Sequence, residues 1–175
     1  MRNSIRLAAA ALAAVSFAST AQAATTATGT ATAEVLSTLT VTPDVDLRFG
    51  QIAANGGGDI VVPADSATAI TTSGTLVSTG TRGAAQFTVS GVSGVRVGIS
   101  SLSVTTPLTW QGVWTGGGAT PTMGLGALTS HWNNNVDTLD AAGEAVFNVG
   151  GTLTVGSAQA PGLYSGSFSV TVEYQ

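Results

Sequence analysis

The 175-residue chain has five basic and nine acidic residues, one histidine, 23 glycines and neither cysteine nor lysine. So few cations cannot neutralise a phosphate backbone or an anionic lipid surface, which argues against nucleic-acid and membrane partners. The missing residue types exclude disulfides, thiol nucleophiles and lysine-based crosslinks, so stability rests on core burial and strand pairing.

Arg2 and Arg6 open the chain, an apolar stretch from Leu7 to Ala18 follows, and Ala21-Gln22-Ala23 offers the small-x-small pattern of a signal peptidase site. The stretch is far short of the roughly 20 residues that span a bilayer, so residues 1–23 read as a signal peptide cleaved after Ala23. Export through the periplasm to the cell surface or medium is the expectation. The remaining 152 residues hold three arginines against nine acids, a net charge of −6, and suit one domain. Their solvated faces must be built from Thr, Ser, Asn, Gln and Gly, a composition compatible with packing against copies of the same chain.

Beyond the leader, period-two patterns dominate and no window has helical spacing. Ala31, Ala33, Val35, Leu39 and Val41 share one parity and predict a first strand; Val45, Leu47 and Phe49 predict a second ending before Gly50. Ala85, Phe87 and Val89, then a turn at Gly91–Gly94, then Val95, Val97 and Ile99 predict a hairpin. Phe147, Val149, Leu153 and Val155 share a face around Gly150-Gly151, where a bulge or bend is expected. After the Pro161-Gly162 turn, Phe168, Val170, Val172 and Tyr174 alternate with Ser167, Ser169, Thr171 and Glu173. Many short strands with glycine-rich turns predict an all-β sandwich or barrel. The ten aromatic residues form no paired girdles, which disfavours a membrane barrel and direct membrane insertion.

No enzyme chemistry is legible. His131 beside Ser130 is a lone imidazole with no nucleophile elbow, and Asp137, Asp140 and Glu144 near Asn133–Asn135 lack the spacing of a calcium loop. No catalytic residue, metal site or cofactor is predicted. Trp110, Trp114 and Trp132 sit among Gly and Asn residues and are candidate glycan contacts, although the even spacing of the first two also suits core packing. A monomeric secreted or surface-bound carbohydrate-binding module is therefore one reading.

A different reading comes from the chain's end. The last strand runs almost to the terminus, with Tyr174 penultimate and Gly162 fourteenth from the end. This arrangement resembles the C-terminal signature of chaperone-usher pilus subunits. The segments GTLTVGSAQAPGLYSGSFSVTVEY (Gly151–Tyr174) and VTPDVDLRFGQI (Val41–Ile52) also resemble spore-coat-U-type pilins. Both segments are shared with a bacterial family of small secreted β proteins of unknown function. The resemblance implies an immunoglobulin-like, pilin-like antiparallel β-sandwich over residues 36–175, lacking its last strand. It further implies a fimbria-like homopolymer assembled by strand complementation, with a periplasmic chaperone and an outer-membrane usher as partners. The strand marked by Gly162, Phe168, Val170, Val172 and Tyr174 is then the candidate chaperone- and subunit-binding strand. Residues 24–35 are the candidate donor, with Ala27, Gly29, Ala31, Ala33 and Val35 on one face; the same segment also fits a first strand or an Ala/Thr linker.

Overall fold

The computed structural model describes residues 26–175; the signal peptide expected over residues 1–23 lies outside the described residues. Eleven strands appear in chain order: β1 (Thr40–Val45), β2 (Arg48–Ala54), β3 (Gly58–Val62), β4 (Thr71–Thr72), β5 (Leu76–Gly83), β6 (Ala85–Ser90), β7 (Arg96–Trp110), β8 (Thr122–Ser130), β9 (Val136–Thr138), β10 (Glu144–Val155) and β11 (Tyr164–Tyr174). One 3₁₀ turn, Asn133–Asn135, is the only helical element among the described residues. The protein is all-β, with every pairing antiparallel.

Nine strands form one sheet whose main path runs β1-β6-β10-β8-β7-β11, with β3 also on β10, β4 on β3 and β9 on β7; β2 and β5 form a separate two-stranded sheet. The path stays open, ending on β1 and β11. β8 links the two parts of the path: Gly124–Ser130 pair with β10, while Thr122 and Met123 pair with Thr109 and Leu108 of β7. The inward rows of β6 and β10 (Ala85, Val89, Phe147, Val149) thereby pack with Val97 and Ile99 of β7 in one buried cluster. Phe87 stacks on Phe147 at 5.2 Å, and Phe168 meets Phe87 edge-on at 5.9 Å. A second cluster at the other end joins Phe49, Ile60, Val62, Leu76, Met123, Leu153 and Val155.

The alternation in β10 and β11 forms as read. Gly150 and Gly151 sit at a register shift in the β10–β8 ladder, and any side chain at Gly150 would collide with backbone of Val62 and Ala64. In β11 the row Phe168, Val170, Val172 and Tyr174 packs onto the core opposite Val104, Leu102, Ile99 and Val97, while Ser167, Ser169, Thr171 and Glu173 are exposed.

Three local expectations are corrected. β6 and β7 are not a hairpin: both edges of β6 are taken by β1 and β10, so β7 pairs with β8, β9 and β11 instead. Their connection is held by the loop before β10, through Gly91 N–H to Gly143 O (2.8 Å) and Gly94 N–H to Leu139 O (2.9 Å). The first strand starts at Thr40, not near Ala31; residues 26–39 have no strand partner, and Ala/Thr alternation offers too little apolar area to recruit one. The second predicted strand is divided, because the chain leaves β6 at Val45 and re-pairs with β5 from Arg48. Gly50 then lies inside β2 at φ +79°, at the bulge between Phe49 and Gln51.

Candidate functional site

β11 has β7 as its one strand neighbour, and β2 has β5, so each presents an unpaired backbone edge among the described residues. Between them lies an apolar groove. One part, about 940 Å³, runs along β2 from Leu47 to Ala54 and along the Gln159–Tyr164 loop. Another, about 670 Å³, runs between Pro43–Phe49 and Leu163–Phe168. Leu47, Arg48, Phe49, Leu108, Leu163 and Tyr164 line both, so the two are continuous. The floor is core: Phe87 from β6, Leu108 from β7, Met123 and Leu125 from β8, and Leu153 and Val155 from β10. At about 3.3 Å per residue, the seven residues of β2 give walls for one extended segment of about that length.

Each wall is held in place. Tyr164 Oη donates to Ala160 O and accepts from Gln159 Nε2, both at 2.7 Å, which fixes the loop entering β11. Trp110 Nε1 donates to Pro161 O (3.1 Å), and Gln111 N–H to Leu163 O (2.7 Å). Gly162 rests against the Trp110 indole so closely that a Cβ there would strike Nε1. It therefore belongs to the groove's mouth, ahead of the strand it was grouped with. Across the groove, Ser78 Oγ donates to Phe49 O (2.8 Å) and ties β2 to β5.

The opposite end is shut. Tyr174 Oη accepts from Val92 N–H (3.0 Å) and donates to Ser37 O (3.1 Å), while Leu39 and Val41 join the cluster that includes Val170, Val172 and Tyr174. A Cβ at Gly91 would crowd Tyr174 Oη and lie 2.8 Å from Leu39 Cδ1, so the absent side chain is what lets Leu39 and the phenol meet. The candidate donor residues Ala27, Gly29, Ala31 and Ala33 are exposed and outside any strand, and Val35 is 94% exposed.

The three tryptophans do not form one surface. Trp132 is 6% exposed, lies 4.9 Å from Phe147 and donates Nε1–H to Val146 O (3.1 Å). Trp110 and Trp114 meet edge-to-face at 5.6 Å beside the groove's mouth. The hydroxyl of Ser130 donates to Asn135 Oδ1 (2.6 Å), and His131 Nδ1 accepts from Asn148 N–H (2.8 Å), so these two side chains serve the loop and the end of the β8–β10 ladder. Among the described residues no three His, Cys, Asp or Glu side chains converge as a metal site would require. Leu47 was read only as a strand residue, and Leu108, Leu125 and Leu163, which shape the groove with it, were not singled out, because alternation marks an inward side chain without telling whether a neighbour covers it.

The model of one protein family matches residues 39–174, from just before β1 to the penultimate residue. This chain belongs to that family, described as a domain of unknown function (DUF4402). The match takes in both walls of the groove and stops short of residues 24–35. No curated protein and no solved structure matches this chain.

Proposed function

We propose that this member of the DUF4402 family is a structural subunit of a bacterial surface fibre. In this reading the body is an immunoglobulin-like, pilin-like sandwich that lacks its last strand, and residues 24–35 of the next copy supply it. The observation that carries the reading is the groove, whose two walls are unpaired strand edges and whose floor is hydrophobic core. Unpaired edges flanking apolar surface invite strand addition in water, and an added strand gains main-chain hydrogen bonds to the edges as well as apolar burial. Alanine and glycine bury little area at about 25 cal/mol per Å², so main-chain bonds, each worth about 0.5–1.5 kcal/mol net, carry most of the affinity. Export by the N-terminal leader, and a periplasmic chaperone and usher that shield the groove before assembly, complete the proposal.

Protein recovered from periplasm and cell surface, run unheated and boiled on denaturing gels, tests it. A ladder of oligomers that collapses on boiling and is lost when residues 24–35 are deleted is the expected result. A stable monomer with and without the arm would overturn the fibre and favour a monomeric binding module.

A further inference from the structure

We propose that the rim at the groove's open end, built from Val113, Leu163 and the paired indoles of Trp110 and Trp114, is the seat for Val35 and Leu36 of a second copy. The inference rests on the fibre reading and adds a contact at the groove's mouth, made by the root of the donor segment.

The path of the chain leads to this rim. Ser37 is tied to Tyr174 Oη and Leu39 is packed in the core, so an arm leaves its own body immediately before Ser37. A segment from another molecule lying in the groove must connect to its own body through an opening. The end near Leu39 and Tyr174 is covered, so the arm is taken to leave past Ala54 and Gln159–Leu163, which line the other part of the groove. The arm's root therefore emerges at Leu163, with its deeper residues toward Phe168. This makes the donor antiparallel to β11.

The side chains at the two places match. Among the described residues, Val35 (94%), Val113 (84%) and Leu163 (73%) are the three most exposed large apolar side chains, and Leu36 is 38% exposed. Two of these belong to the arm's root; Leu163 lines the groove's mouth, and Val113 follows two residues after Gln111, whose N–H is bonded to Leu163 O. Seating one pair on the other removes all four from water. The rim's polar groups are already engaged: Trp110 Nε1 with Pro161 O, Trp114 Nε1 with Gly117 O (3.1 Å), and Gln111 Nε2 with Thr109 O (2.8 Å). A sugar needs hydrogen-bond donors aimed at its hydroxyls, whereas an aliphatic side chain asks only for a dry, shaped surface. The rim supplies the second kind, so the occupant is an apolar stretch of polypeptide.

The absence of cysteine from the chain gives a clean test. Full-length proteins carrying Val35→Cys and Leu163→Cys are mixed, assembled and oxidised. A disulfide-linked heterodimer is expected, with little product when Val77→Cys on β5 replaces Leu163→Cys. In parallel, Val113→Asn with Leu163→Asn is expected to leave the monomer's melting temperature unchanged and to speed oligomer dissociation about tenfold or more. Oligomers that form normally, give no disulfide between the Val35→Cys and Leu163→Cys chains above the Val77→Cys control and dissociate at the original rate would overturn the rim contact while the fibre reading stands. If no oligomers form even with the intact arm, the fibre reading fails and the rim contact falls with it.

Discussion

The two halves of β11 differ in pattern and in surroundings: Phe168–Tyr174 alternates strictly, whereas Tyr164–Ser167 is polar, glycine-containing and bulged against β7. From Phe168 to Tyr174 the inward row packs on the same core cluster as Leu39 and Val41, and the Tyr174 hydroxyl is tied to Ser37. From Tyr164 to Phe168 the same strand borders an open groove, because the chain leaves β6 at Val45 and turns away into β2. Whether an apolar row becomes core or binding surface is thus decided by the neighbour that passes over it.

Substitutions sharpen this contrast. Phe147→Ala in the closed half should be the most damaging: the ring is fully buried between Phe87 and Trp132, and its loss costs about 3–5 kcal/mol in urea unfolding of the monomer. Leu125→Ala on the groove floor should cost about 1–2 kcal/mol in the monomer, since a half-buried side chain beneath an unfilled groove has fewer contacts to lose. Equal losses at the two positions would mean that the groove is closed in solution. Tyr174→Phe removes the bond to Ser37 O and leaves Val92 N–H without its partner, for about 1–2 kcal/mol. Faster amide exchange at Leu39 and Val41 is the accompanying sign, and unaltered exchange there would remove the lock from the account. Ser103→Ala breaks the exposed 2.8 Å hydroxyl pair with Ser169 and should change stability by no more than about 0.5 kcal/mol. A larger loss would give the outer face of β7–β11 a structural weight comparable to its inner one.

Much of the architecture was legible because it depends on local pattern. Alternation in β6, β10 and β11 marks inward residues wherever the strand is placed, and Gly150-Gly151 announced the irregularity that the approach of Val62 and Ala64 requires. The candidate site was legible only at single residues, Leu47, Phe49, Gly162 and Phe168, which line it. Its walls were not, because the β1–β2 break and the Gln159–Leu163 loop acquire meaning only when chain segments about a hundred residues apart come together.

By itself the sequence determined the all-β class, the inward faces of the long strands and the absence of disulfides. Tertiary structure alone decided that β6 and β7 part into different pairings, that Trp132 is core while Trp110 and Trp114 flank a groove, and that β11 is covered along only half its length. The physical reason is range. Alternation and side-chain size act within a strand, whereas partner choice and cover depend on which edges earlier strands have already taken.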